Sequence, residues 1–339
     1  HDRINLTVEW YKKTSSDMLM PLQLPSYMGT SGNASSALAA PKGNYGDIEN
    51  TGFEISLNTH PITGKFEWDS DFQISFNKNK LKGLAGTANA QIVGYGQWTD
   101  VVSVSSVGES LYNFYGFVCD GVYKDLEDLQ TSPKPAKYPA NGVFDRTNTV
   151  WVGDVKYKDL NNDHKIDQYD VAAIGYPVYP LLTGGVNLGF TYKGFDFSMT
   201  WSGATKVSRL LDDIFREPFG ATDSRSLMKY MIDDMWTPEK GNSAKAPAIS
   251  FTNKVNNYRD SDLWLRDASY LRLKNVEIGY NFSKKTLKKI NIGSLRVYAT
   301  GYNLLTFDKL KIVDPESRPN GNAMYPVVMV VNMGLKVGF

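Results

Sequence analysis

Residues 327–339 read VVMVVNMGLKVGF, and this stretch decides the fold. Val327, Met329, Val331, Met333, Leu335, Val337 and Phe339 are apolar at every second position, with Asn332, Gly334, Lys336 and Gly338 among the residues between. Successive side chains of a strand point to opposite faces, so this strand has one greasy face and one wet one. The same period of two recurs upstream. Phe66, Trp68, Phe72, Ile74 and Phe76 alternate with Glu67, Asp69, Asp71, Gln73 and Ser75. Phe195, Phe197, Met199 and Trp201 alternate with Asp196, Ser198, Thr200 and Ser202. Ile4–Trp10, Phe53–Leu57, Val186–Tyr192 and Leu295–Ala299 follow suit. One segment slips phase: Leu271 and Leu273 are followed by Val276, Ile278 and Tyr280, a slip that a β-bulge near Lys274 and Asn275 would absorb.

Alternation alone suits a soluble sandwich equally well, and the connections separate the two. They run long (about Lys12 to Glu49), short (Thr59 to Gly64), very long (Lys78 to Leu182), short (Lys193–Gly194), long (Ala204 to Asp267), short (Ser283 to Ile292) and long (Leu304 to Tyr325). Tight turns at one end and large loops at the other are the habit of transmembrane barrels. The expected fold is therefore all-β, a transmembrane antiparallel β-barrel of which this chain supplies about eight strands. The wet faces carry Glu9, Glu54, Glu67, Asp69, Asp71 and Asp196, too many carboxylates for the filled interior of a small barrel. A C-terminal sector of a larger, water-filled barrel is expected instead. His1 stands directly before a strand pattern, with no initiator Met and no signal peptide, so the chain reads as a fragment. Residues 78–182 form the long extracellular loop region, where Leu111 to Tyr123 is either another barrel strand pair or a hairpin within the loop.

Composition removes several function classes. Lys+Arg total 37 against 36 Asp+Glu, a net charge of +1 that is no footprint for nucleic acid. No apolar run approaches the ~20 residues of a spanning helix, which says nothing against a barrel. The single Cys119 excludes an internal disulfide and reads as a small buried residue. His1, His60 in an expected turn and His164 are the only histidines, and no nucleophile, zinc or phosphate-loop motif is present, so no enzyme is expected. Lys284, Lys285, Lys288 and Lys289 crowd one short turn and read as solvated.

Four stretches carry a family resemblance. They are NYGDIENTGFEISLN (44–58), DVKYKDLNNDHKID (154–167), WLRDASYLRLKNV (264–276), and LRVYATGYNLLTF (295–307) followed by Asp314-Pro-Glu316. Together, and in this order, they resemble the C-terminal half of the SusC/RagA family of TonB-linked outer-membrane proteins. The resemblance implies a barrel of about 22 strands in the outer membrane of a Bacteroidota-type bacterium. It implies import of oligosaccharides or peptides under a SusD-like lipoprotein lid, with outer-membrane lipid around the barrel and a dimer of transporter–lid pairs. TonB would act through an N-terminal region outside this sequence. The alternatives are a soluble or surface glycan-binding β-protein with a calcium-stabilised loop, and a glycoside hydrolase on a β-scaffold.

Residues 159–170 carry the sharpest constellation. Asp159, Asn161, Asp163, Asp167 and Asp170, with the Lys165 carbonyl, have the ligand spacing of an EF-hand-like calcium loop. His164 stands where glycine usually makes the sharp turn, and Asp170 replaces the bidentate Glu. A structural Ca2+ is expected here; the plainer reading is an acidic turn held by Asx hydrogen bonds. Loop aromatics, chiefly Trp98, Tyr115, Trp151 and Trp236, with Tyr95, Tyr112, Phe114, Tyr176, Tyr179 and Trp264, either grip cargo or pack the loops together.

Overall fold

The computed structural model describes residues 3–21, 41–84, 91–95, 101–135, 150–211, 213–219, 227–249, 254–317 and 327–339. Eight long strands form one sheet: β1 (Ile4–Pro21), β2 (Lys42–Ile62), β3 (Phe66–Gly83), β4 (Leu182–Tyr192), β5 (Phe195–Thr205), β6 (Tyr270–Asn281), β7 (Ser294–Asp308) and β8 (Val330–Gly338). Each is antiparallel to the next in simple sequence order. Among the described residues β1 and β8 do not pair with each other, so the sheet stays open. Among the described residues no helix is long and apolar enough to cross a membrane. The short turns lie at one end, with Lys193 and Gly194 between β4 and β5 both at positive φ (47° and 91°). A two-residue turn needs that left-handed backbone to match the twist of its strands.

Register makes the two faces of the sheet chemically distinct. Leu6, Leu57, Phe72, Val186, Trp201, Leu273 and Leu305 stand opposite one another across seven strands. The next row on the other face reads Thr7, Ser56, Gln73, Gly185, Ser202, Arg272 and Thr306. The apolar face is not covered by protein: Met333 is 85% exposed, Ile4 70% and Val331 61%.

Aromatics bound this apolar face at both ends. Phe66, Tyr192, Phe195 and Tyr280 are direct cross-strand neighbours near the short turns, with Phe195 and Tyr280 rings 4.5 Å apart. Trp10, Phe53 and Phe76 form the upper row, with Phe53 stacked on Phe76 at 5.5 Å. Phe66 and Phe76 are ten residues apart on β3. That is ~34 Å along a strand, or ~26 Å along the normal at a barrel tilt of about 40°, the height of a transmembrane apolar band.

The phase slip in β6 is a bulge. Thr200 pairs with Asn275 and Trp201 with Leu273, leaving Lys274 as the extra residue. The bulge keeps Leu273 and Val276 on one face while Lys274 and Asn275 share the other. Several boundaries differ from those the alternation predicts; β7, for one, runs past Leu304 to Asp308, and β8 begins at Val330 rather than Val327. β1 and β2 run on to Pro21 and from Lys42, so the first long connection shrinks to residues 22–41. β3 likewise continues past Lys78 to Gly83. His60 lies within the end of β2 rather than in a turn. Within the long loop, Asn113–Phe117 and Cys119–Val122 are short strands that pair locally and do not enter the main sheet.

The two faces differ in what they tolerate. Val331 lies midway between the aromatic rows, opposite Gly301. In the intact protein Val331→Arg should lower the denaturant stability of the refolded barrel by about 2–4 kcal/mol. Asn332→Arg, one residue along on the wet face, should be close to neutral. Equal losses at both positions would show that the apolar face is not lipid-facing.

Candidate functional site

The polar face of the sheet forms one wall of the candidate site. Glu9 stands directly opposite Glu54, which accepts a hydrogen bond from Ser75 at 3.1 Å. Like charges face to face destabilise a sheet unless water or a partner screens them. A hollow of about 710 Å³ opens beside them, lined by Thr7, Gln73, Asn187, Thr200 and Ser202 among others. Toward the short turns, Asn58 donates to Asp71 at 2.7 Å and Thr191 to Glu67 at 3.0 Å. Arg296 gathers Asp196 and Glu277, the latter at 2.6 Å. Gly279 leaves room for that cluster, since a Cβ there would meet the Arg296 guanidinium at 2.5 Å.

A second cluster ties the last long loop to this wall. Arg272 is nearly buried and donates to Thr306 at 3.0 Å, to Asp314 at 2.5 Å and to Glu316. Lys274 reaches Glu316 at 2.6 Å and the Tyr270 hydroxyl donates to it at 2.8 Å. The β6 bulge makes this possible by turning Lys274 to the wet face beside Asn275. Arg272, Lys274, Asp314 and Glu316 lie within the segments that carry the family resemblance, which by itself gives them no role. The signal was there: two basic side chains two residues apart, on a strand that also changes phase.

Above the wall, the loops carry the buried core. Phe117, Val155, Tyr157 and Ile166 form one cluster, Leu211, Tyr258, Trp264 and Leu310 a second, and Tyr123, Leu129 and Val150 a third. Asn257 joins the first two: its side chain accepts from Val155 N–H at 2.9 Å and donates to Asp154 at 2.7 Å. Its carbonyl takes the Trp264 indole N–H at 2.8 Å. Tyr157 donates to the Asn256 carbonyl at 2.6 Å, and burial pushes its phenol well above the usual range. Burial likewise pushes the Cys119 thiol up to about 11, which leaves almost no thiolate at neutral pH.

The loop aromatics divide. Phe114 and Trp264 are buried, and Trp151 packs on the third cluster. Trp236 lies over Gly153, where an added Cβ would come within 2.5 Å of its ring. Tyr115 is half-buried in a short strand opposite Ala173. Tyr112, Tyr176 and Tyr179 are exposed. Trp98 and the Tyr95 side chain lie outside the described residues.

In the acidic loop, Asn162 and His164 both adopt left-handed backbone, at φ 60° and 62°. Histidine thus makes the turn expected of glycine. Asp159 accepts the N–H of Asn162 at 2.6 Å and of His164 at 2.7 Å. Asp163 accepts from Lys165 at 2.9 Å, and the half-buried Asp167 carboxylate from Tyr169 at 2.9 Å. Asp170 is fully buried and accepts from Leu160 and Asp167, both at 2.8 Å. Among the described residues no three His, Cys, Asp or Glu side chains gather as a metal-binding group. The backbone path has the bends of a cation loop, while the carboxylates are turned onto backbone N–H groups.

Arg272 is the residue on which the wall–loop tie depends. Arg272→Ala leaves Glu316 with Lys274 and Asp314 without its cation, and should cost about 1–3 kcal/mol. Limited proteolysis should then cut residues 309–317 faster, with Arg272→Lys intermediate. An unchanged cleavage rate would mean that the tie does not hold the loop.

No family model matches the chain. Among curated proteins, TonB-dependent receptor P3 of Formosa agariphila is 29% identical over 355 residues, covering all of this chain and 32% of the relative. TonB-dependent receptor SusC of Bacteroides thetaiotaomicron is 26% identical over 345 residues, covering 99% of this chain and 30% of the relative. Among solved structures, the RagAB peptide transporter superposes with a TM-score of 0.73 at 22% identity, over 100% of this chain and 34% of that one. The chain thus spans about a third of the length of the curated relatives it matches. Over its whole length it is similar in sequence to TonB-dependent receptors, SusC among them, and its fold is that of a sector of the RagAB transporter's β-barrel.

Proposed function

We propose that this chain is part of an outer-membrane importer driven through TonB, and that its polar face lines the cargo path. The observation that carries the reading is the two-faced sheet: an uncovered apolar face with aromatic rows at both ends, backed by a wall of carboxylates, amides and hydroxyls. Cargo would be an oligosaccharide or peptide too large for ordinary porins. A SusD-like lipoprotein would cover the long loops in a dimer of transporter–lid pairs, and TonB would act through regions outside this sequence. Support comes from the relatives, named TonB-dependent receptors and SusC, and from the RagAB peptide importer. The chain superposes on RagAB states called open-open and closed-closed with TM-scores of 0.72 and 0.71. The reading requires no bond to be made or broken.

The test uses the intact protein in its own cells. Deleting its gene should abolish uptake of one class within a panel of labelled oligosaccharides and peptides, and a protonophore should reproduce the loss. Uptake that survives TonB disruption would overturn the reading. Release of the protein from envelopes by salt, without detergent, would favour the surface glycan-binding alternative.

We also propose one structural calcium at the acidic loop, held by Asp159, Asn161, Asp163, the Lys165 carbonyl, Asp167 and Asp170. The left-handed turns at Asn162 and His164 support it, and binding would require carboxylate oxygens to turn inward to roughly 2.3–2.6 Å from the ion. Elemental analysis of calcium-replete protein should find one ion that Asp159→Ala together with Asp163→Ala removes. A chelator should expose residues 159–170 to protease. A full complement of protein with no bound calcium would leave the loop as an Asx-bonded turn.

A further inference from the structure

The turn between β6 and β7 is a rigid basic patch at the rim of the membrane-spanning sheet. Residues 282–294 contain Lys284, Lys285, Lys288 and Lys289 and no acidic residue. The turn is ordered by its own chemistry. Ser283 caps a helical turn over Lys284–Leu287, accepting from Thr286 N–H at 3.3 Å. Leu287 is 1% exposed and anchors it, while Asn291 ends it in left-handed backbone at φ 54°. All four lysines are exposed, and none forms an ion pair among the described residues. The strand carboxylates Asp196 and Glu277 are already held by Arg296 on the wet face. A fifth cation adjoins the patch: the Lys193–Gly194 turn packs on Asn281, and Lys193 sits 5.0 Å over the Tyr192 ring.

The placement of this patch is as informative as its charge. The strand enters the turn through Tyr280 and Phe282, whose rings meet edge to face at 5.0 Å. Tyr280 belongs to the lower aromatic row, where the apolar face ends and lipid headgroups begin. Lys193 follows that row by one residue, with its ammonium over the Tyr192 ring, and Lys284 and Lys285 follow Tyr280 by four and five, where long lysine side chains reach the phosphate layer. Short barrel turns face the periplasm, so the layer in question is the inner leaflet. We infer that the Lys284–Lys289 turn, with Lys193, is a docking surface for anionic phospholipid headgroups of that leaflet. Each lysine near an anionic surface adds to the attraction, and salt screens it. The inference rests on the membrane-spanning sheet and stands whether or not the import reading does.

The test uses the intact protein, purified in mild detergent and placed in nanodiscs of phosphatidylethanolamine with or without one-quarter phosphatidylglycerol. Native mass spectrometry then counts the lipids retained on the protein. Wild type should hold phosphatidylglycerol in preference to phosphatidylethanolamine. The variant Lys284→Gln/Lys285→Gln/Lys288→Gln/Lys289→Gln should lose roughly tenfold of that preference. Lys→Arg at the same four positions should keep it, as should the control Lys124→Gln/Lys158→Gln in the loops. For wild type alone, raising salt from about 50 to 500 mM should abolish the preference, a readout that does not depend on any variant folding. Equal retention of the two lipids by wild type, an unchanged preference in the Gln variant, or indifference to salt would each overturn the inference. So would lysine-dependent capture by purified peptidoglycan without any lipid preference.

Discussion

The hydrocarbon of a bilayer offers no partner to a backbone N–H or C=O, and that constraint organises the whole molecule. A sheet satisfies it only if each spanning strand lies between neighbours, which is what the eight-strand meander provides for its inner strands. Once the backbone is fixed that way, side chains have two choices, lipid or water, at alternate positions. The rows through Phe72 and Gln73 are the direct result, apolar across seven strands on one face and, apart from Gly185, hydroxyl, amide or guanidinium on the other. The bulge at Lys274 shows how firmly the lipid face is held. An extra residue is accommodated by pushing one more polar side chain toward water, never a leucine.

The same constraint turns the usual packing plan inside out. In a soluble protein the sheet would bury its apolar face against another layer; here that face is bare, and the buried clusters lie in the loops. Tyr157, Trp264, Leu129 and Val155 are almost inaccessible, while Val331 and Met333 are open. The loops can afford this because their polar backbone is satisfied by buried side chains such as Asn257 and Asp170. Each of these carries several hydrogen bonds to groups distant in sequence or across a turn. A rigid loop platform on a two-faced wall is what a site for a large, polar, non-covalent ligand needs.

Much of this was legible in the sequence, and the failures have one physical origin. Alternation is imposed by lipid, so it marks only the part of a strand between the aromatic rows. Lys12, Lys13, Thr14, Ser15 and Ser16 continue β1 above Trp10, where both faces meet water, and their polarity looks like that of a loop. The same polarity marks Lys42–Asn50 in β2 and Lys78–Lys80 in β3, beyond which Leu81 is buried beneath the loop. The Lys274 bulge, by contrast, lies within the band and was visible as a slip of phase. Trp264 and Phe114 were legible as loop aromatics but not as buried ones, because a loop core made from three distant segments has no period. The left-handed turn at His164 was within reach of the sequence, since the acidic spacing demands a sharp bend there.

The tie between Arg272 and the Asp314–Glu316 segment shows how wall and platform become one object. A lysine at position 272 could approach one acceptor at a time; the planar fork of arginine meets Thr306 on the neighbouring strand and two loop carboxylates together. Glu316 in turn receives Tyr270 and Lys274, so three residues of one strand converge on one loop side chain. That convergence needs Tyr270, Arg272 and Lys274 on the same face, which unbroken alternation supplies. It also needs the chain to return afterwards to Val276 on the lipid face, which only the bulge supplies. The basic pair, the phase slip and the distant Asp-Pro-Glu are therefore one device, in which a local irregularity of the strand reconciles what the lipid requires with what the loop requires.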